Sequence, residues 1–344
     1  MQNKYLFNFA VTYVGGGFKR LYEYCKWFNE NGGAGFIIHT NCKSLIKEFP
    51  NNHFFLTNQS KLQRIFMDCN YLNSIERKIG PPDLYYSYGI PIYAKFAKIN
   101  WFHLSNVLPI FSRDIPLTLF DRLNFSILGR RIKRNFQNAD VISAESNYSL
   151  GLININKSEK LFLSVNGSND ELTYSHIKLS DRKDNIALIN GTNRYKALHD
   201  SYQVFEMLRE SNSQLKLIII GNTKTIPKYL LNNKSIIFTG VIKRNEVIDL
   251  LSKTRYFIST SLIENSSNAT SEGIFFADES YISDIPPHRE LLNDMPFNQV
   301  SIPNITRLLL HIKRENISVV NLKSWDTVIL EIINRFQSEL KNIE

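Results

Sequence analysis

Short apolar runs alternate with stretches of helical spacing along the whole chain, and nothing else in the sequence constrains the fold as much. In the first half Lys4–Val14, Phe36–His39, Leu84–Ser87, Ile99–Leu104, Ala139–Ser143 and Leu161–Val165 read as strands. In the second half Ile186–Asn190, Leu217–Ile220, Ile236–Gly240 and Tyr256–Ser259 repeat the pattern. Near-continuous apolar runs are what strands covered by helices on both faces require. Between them Phe18–Asn31 carries Phe18, Leu21, Tyr22, Cys25 and Phe28 at helical spacing, and Gly32, Gly33 and Gly35 end it. Leu117–Phe136, Ser146–Leu152, Ala197–Arg209 and Arg244–Ser252 read as further helices. So do Ile305–Glu315 and Leu322–Leu340. The order of elements within Leu45–Ile79 is not fixed by the pattern. Strand–helix alternation in both halves predicts two doubly wound α/β domains.

The 344 residues suit two domains of ordinary size. The boundary falls at 166/167, with a polar linker running to Asn185 and the last helix, about 322–340, crossing back to the first domain. No apolar run approaches the roughly 20 residues of a membrane span. The N-terminal stretch reads as a first strand rather than a signal peptide. Cys25, Cys42 and Cys69 are an odd number without metal spacing, as reduced thiols of a cytoplasmic protein would be. Residues 1–166 hold 20 Lys/Arg against 11 Asp/Glu, whereas residues 167–344 hold 21 of each. The whole basic excess therefore lies in the first half and points to an anionic partner. Nucleic acid does not fit, because aromatic residues are not interleaved with the basic ones as stacking platforms.

One stretch carries most of the chemistry. After the strand Tyr256–Ser259 come Glu264, seven residues and Glu272, with the N-cap types Ser266, Ser267, Asn268 and Thr270 between. This reads as strand, loop, then a helix starting near Asn268. Free backbone N–H groups at a helix start attract a diphosphate. The carboxylates beside it suit sugar or ribose hydroxyls, since an ionised carboxylate only accepts hydrogen bonds. Phosphate beside polyol describes a nucleotide-sugar. An ordinary loop with two solvated carboxylates is the plainer alternative. Upstream, Ile186–Asn190 leads into Gly191–Lys196, a loop bearing Arg194 and Lys196 that suits a leaving diphosphate.

With its Glu-x7-Glu spacing and the tail Ser283–Glu290 (SDIPPHRE), this segment resembles the large retaining glycosyltransferase family of the GT-B fold. The chain departs from that pattern at Ala277 and Glu279, where the family usually has Gly and Pro, and at Asn265–Ser267, usually Gly-rich. The resemblance implies two Rossmann-like domains facing a cleft. It implies that Glu272 binds the ribose, Glu264 holds the donor sugar, and Arg194 and Lys196 grip the diphosphate, with Ser267 and Asn268 at the helix start. Val165–Ser168 resembles the family's Asn-Gly turn at the domain junction.

In the first domain, Gly15–Gly17 follows the first strand and resembles the family's glycine loop. Gly16 and Gly17 are then ligand contacts, or else part of a plain tight turn. Lys19 and Arg20 are phosphate ligands or solvated cations. His103, at the end of Ile99–Leu104, matches a family histidine beside the donor sugar, or is a satisfied structural residue. On Leu117–Phe136, Arg122, Arg130, Arg131, Lys133 and Arg134 accompany a stripe of Leu117, Phe120, Leu123, Ile127, Leu128 and Ile132. The expectation is a stripe packed on the core with cations directed at an anionic membrane.

The resulting expectation is a cytoplasmic hexosyltransferase, peripheral at the inner face of the plasma membrane. It would retain anomeric configuration and take its sugar from a nucleotide-sugar. The acceptor would be lipid-linked or an oligosaccharide, such as a polyprenyl-diphosphate-linked glycan of O-antigen, lipopolysaccharide or capsule assembly. No cofactor is implied, and with no Asp-x-Asp element no metal is required. The alternatives are a nucleotide-sugar epimerase of the same fold and a non-catalytic sugar-binding descendant.

Overall fold

The structure, a computed structural model, describes residues 4–13, 15–58, 69–111, 115–155, 158–168, 185–266, 268–293, 295–314 and 323–343. These divide into two compact units. Unit 1 takes those of 1–112, 119–168 and 323–344, and unit 2 those of 113–118 and 169–322. The linker expected up to Asn185 lies largely outside the described residues.

Unit 1 is built on seven parallel strands: β1 (Tyr5–Phe9), β2 (Gly35–His39), β3 (His53–Thr57), β4 (Leu84–Tyr88), β5 (Ile99–Leu104), β6 (Val141–Ala144) and β7 (Leu161–Leu163). Their order is β3-β2-β1-β4-β5-β6-β7. Consecutive residues Phe36, Ile37 and Ile38 of β2 are all buried, because helices cover both faces of the sheet. One core cluster gathers Phe7, Phe28, Phe36, Tyr24 and Tyr86 with Trp325, Val328, Ile329, Ile332 and Phe336. The Trp325–Lys341 helix therefore packs on unit 1, and Ser324 Oγ caps it by accepting from Thr327 N at 3.1 Å.

Unit 2 contains β8 (Ile186–Asn190), β9 (Lys216–Ile220), β10 (Ile236–Gly240), β11 (Tyr256–Ser259), β12 (Glu279–Ser283), β13 (Asn298–Val300) and β14 (Leu309–Lys313). The order is β10-β9-β8-β11-β12-β14-β13, parallel through β12 and antiparallel beyond it. In each unit the strand order reverses beside the first strand, β1 in one and β8 in the other. In open sheets of this kind ligands bind outside the carboxyl ends at that reversal.

Several expectations need correction. Ile305–Glu315 is not a helix, since Leu309–Lys313 is a strand between β12 and β13. Its adjacent residues Leu309 and Leu310 are both 0 % exposed and enter the clusters on opposite faces of the sheet. That run of apolar residues satisfies a helical period and a two-sided strand equally well. Strand β12 went unread in the sequence; it runs up to the motif tail and shares only Ser283 with it. The first strand ends at Phe9, not Val14. Gly15, Gly16 and Gly17 do not form a turn before the first helix. They are the opening residues of the Gly15–Glu30 helix, with Gly15 at φ 70°.

The Leu119–Asn135 helix overturns the expectation of a core-packed stripe. Leu119, Phe120 and Leu123 are 86 %, 67 % and 60 % exposed, and only Gly129 and Ile132 of this helix are buried.

Candidate active site

The carboxyl ends of β8 and β11 are stitched together by their own loops. After β8 the chain passes Gly191, at φ 113°, into the short 3-10 turn Arg194–Lys196. The loop after β11 bonds onto that turn. Leu262 N donates to Tyr195 O at 2.7 Å, and Thr260 Oγ1 donates to Ala197 O at 2.9 Å. Thr260 Oγ1 also lies 2.7 Å from Ser201 Oγ on the next helix. These bonds bring two side chains from 68 residues apart into one ion pair, Lys196 Nζ to Glu264 Oε1 at 2.5 Å. The pair keeps a narrow opening to solvent, with side chains 14 % and 11 % exposed.

Burial works against the charge on Lys196, but Glu264 and Tyr195 beside it hold its pKa above the ordinary lysine value. Burial likewise opposes ionisation of Glu264, and Lys196 overrides it, keeping the carboxyl below its ordinary value. Arg194, in the same turn, is exposed.

The Asn268–Phe276 helix follows, as the sequence predicts. Ser267 lies outside the described residues. The Asn268 N–H is already engaged with Ser266 O at 3.1 Å. Gly273 packs against β11 so closely that a Cβ there would lie 2.1 Å from the Phe257 ring. Glu272, expected to bind the ribose, is only 4 % exposed, and its Oε2 pairs with Arg244 Nη1 at 2.8 Å. Arg244, 39 % exposed, opens the Arg244–Ser252 helix. The sequence reading placed that helix but missed the pairing. No spacing rule links residues on different helices.

The SDIPPHRE tail serves as scaffolding. Asp284 takes both Nε and Nη2 of Arg289, at 2.5 and 2.7 Å, and Gln299 Nε2 at 2.8 Å. His288 is fully buried, with Nδ1 2.8 Å from Ser283 O. A carbonyl only accepts, so Nδ1 carries the proton and Nε2 faces Thr270 Oγ1 at 3.3 Å. Burial lowers this histidine's pKa to about 4. Ser283 Oγ in turn donates to Ser261 O at 2.6 Å, anchoring the loop that bears Glu264. The departures from the family pattern also have partners in the fold. Ala277 is buried, and Glu279 pairs with His311 across β12 and β14 at 2.7 Å.

The carboxyl edge of unit 1 is filled differently. His103 is 0 % exposed, so it cannot meet a ligand from solvent. Its Nδ1 lies 2.8 Å from Ser143 Oγ, and its ring stacks on Tyr88 with centroids 5.0 Å apart at 10°. Burial first, and Arg20 second, lower its pKa to about 4. Glu145 Oε1 stands 3.5 Å from His103 Nε2 and 3.9 Å from Arg20 Nη2. Arg20, read as a phosphate ligand or a solvated cation, is neither, being 0 % exposed within unit 1. Gly16 remains exposed at the start of its helix, whereas Gly17 is half-buried.

Among the described residues no three His, Cys, Asp or Glu side chains gather to hold a metal ion, and no helix is long and apolar enough to cross a membrane.

No protein-family model and no curated protein matches the sequence. Solved structures do. A glycosyltransferase from Rickettsia africae matches with TM-score 0.66 at 14 % identity, covering 99 % of this chain and 100 % of that one. Anabaena HepE, in complex with UDP and glucose, matches with TM-score 0.63 at 13 % identity over 98 % of this chain and 100 % of its own. An α,α-trehalose-phosphate synthase (UDP-forming) from Burkholderia vietnamiensis matches with TM-score 0.56 at 10 % identity, over 85 % and 87 % of the two chains. At such identities the likeness is one of fold, and that fold is GT-B.

Proposed function

We propose that this chain is a glycosyltransferase that moves a hexose from a nucleotide-sugar to an acceptor hydroxyl with retention of configuration. The observation that carries the reading is the Lys196–Glu264 ion pair at the strand-order reversal of the second sheet. The neighbouring structures solved with UDP make UDP-sugars the first donors to consider.

In this reading Lys196 and the exposed Arg194 meet the diphosphate. Lys196 is charged at neutral pH, since its pKa is raised. It can exchange part of its pairing with Glu264 for a phosphate oxygen, and its charge stabilises the negative charge that grows as the glycosidic bond breaks. Glu264 then accepts hydrogen bonds from the sugar hydroxyls. Glu272, ion-paired with Arg244, takes the ribose hydroxyls. Ser267, Asn268 and the Asn268–Phe276 helix add a dipole of about 0.3–1 kcal/mol toward the diphosphate. Gly16, with Gly17 behind it, leaves bare backbone at the carboxyl end of β1. The leaving phosphate takes the acceptor's proton. His103 has no place in this scheme because it is buried. The scheme uses no metal.

The acceptor we propose is a lipid-linked glycan, such as a polyprenyl-diphosphate-linked intermediate of O-antigen or capsule assembly. The protein would work at the cytoplasmic face of the membrane. Two features support this: the basic excess of residues 1–166, and a helix that exposes Leu119, Phe120 and Leu123 next to Arg122, Arg130, Lys133 and Arg134.

The test is release of nucleoside diphosphate from UDP-, ADP-, GDP- and dTDP-hexoses, with and without polyprenyl-diphosphate-linked and free oligosaccharides, followed by NMR of the anomeric proton of the product. Acceptor-dependent release with retained configuration is expected. Release that ignores every acceptor, or epimerised donor, contradicts the proposal.

A further inference from the structure

Arg20 stands on the first helix one turn beyond the exposed Gly16, and the proposed reaction does not use it. Its guanidinium is fully buried, and beside the Tyr24 and Tyr86 hydroxyls at 3.3 and 3.5 Å from Nη1 its donors are directed at one stretch of chain. Nη2 donates to Ser164 O and Val165 O, both at 3.0 Å, and to Asn166 Oδ1 at 3.1 Å. Nε reaches the same Oδ1 at 3.3 Å, and Nη1 reaches Ser164 Oγ at 3.1 Å. The Trp325 ring lies 5.4 Å from the guanidinium carbon.

These partners mark two places far apart in sequence. Unit 1 gives up the chain after residue 168 and takes it back at 323. The two places also touch each other. Ser168 N donates to Lys323 O at 3.0 Å. Gly167 lies so close to Trp325 that a Cβ there would sit 2.6 Å from the ring and 2.8 Å from Trp325 Cα.

A buried cation is costly, and packed apolar side chains often serve stability as well or better. The nearest carboxylate, Glu145, is 3.9 Å away, so the charge is met mainly by carbonyl and amide oxygens. An apolar residue could not supply five donors in one rigid plane. Most of those donors go to residues 164–166, which lie beyond the end of β7 and outside any helix or strand.

We infer that Arg20 pins two of the covalent connections between the units, holding the outgoing segment 164–168 and the returning Trp325 to the first helix. A shift of the glycine end of that helix then reaches both connections together, because Gly16 and Arg20 lie one rigid turn apart.

Hydrogen exchange on the full chain tests this. Arg20→Lys keeps the charge and loses the planar fork. It is expected to lower amide protection at least tenfold in 164–168 and in 323–328, while β5 and β9 keep theirs. Asn166→Ala removes a single acceptor and serves if Arg20→Lys does not fold. It is expected to loosen the returning segment as well as its own. Deprotection confined to one connection, or spread equally through β4 and β5, overturns the inference.

Discussion

The two sheets share a strand order around their first strands, yet their carboxyl edges serve different ends. In unit 2 the edge holds Lys196 and Glu264, paired but still touching solvent, with Arg194 exposed in the same turn. In unit 1 the corresponding edge holds a cation, a carboxylate and a histidine, and Arg20 and His103 reach no solvent at all. A cation beside a carboxylate at the carboxyl edge of a sheet therefore does not always make the same site. What separates them is the partner. Lys196 answers a carboxylate side chain that still touches solvent, whereas Arg20 answers backbone carbonyls that cannot leave.

The largest effect that could break this contrast comes from the Lys196–Glu264 pair. Lys196→Ala is expected to slow sugar transfer by about 10²–10³-fold, and to destabilise unit 2 because Glu264 stays buried without its cation. Replacing both partners, Lys196→Met with Glu264→Leu, is expected to restore stability and leave transfer abolished. Chemical denaturation beside turnover checks both. An active double variant would reduce the pair to scaffolding like that of unit 1.

Acid is expected to act on the two units through a shared feature. His103 and His288 each have a folded pKa of about 4, below the unfolded value of about 6.5. The unfolded chain binds more protons in that window, so stability is full above about pH 6.5 and falls as pH drops toward 4. Glu264, whose pKa is also lowered, withdraws a further contribution from unit 2 as pH falls below about 4.3. Urea midpoints measured from pH 8 to 4 check this. A profile flat down to pH 4.5 would mean that neither histidine is held neutral by burial.

A smaller effect sharpens what unit 1 does instead. Leu119→Ser, Phe120→Ser and Leu123→Ser together are expected to change stability by under about 0.5 kcal/mol per site. They should nevertheless weaken sedimentation with vesicles rich in anionic phospholipid. Unchanged sedimentation would remove the membrane reading of that helix.

In the second half the strands were legible as far as β11, while β12, β13 and β14 were not. β8, β10 and β11 fall where their apolar runs place them, because each is bounded by turn residues and followed by a helix signal. The Asn268–Phe276 helix is announced by its cap-type residues. β14 was not legible, since a run buried on both faces carries no period of two. Nor was the depth of Arg20. A basic residue beside glycines reads as a surface cation, and only the fold brings residues 164–166 and Trp325 around it. The Arg244–Glu272 pair was hidden for the same reason: sequence spacing does not report which helices become neighbours.

Calorimetric titration of UDP into the full chain, into Lys196→Met and into Arg20→Lys tests the central claim most directly. The account predicts binding to the parent chain, at least tenfold weaker binding to Lys196→Met, and near-parental affinity in folded Arg20→Lys. UDP affinity that survives Lys196→Met and is lost in Arg20→Lys would contradict it.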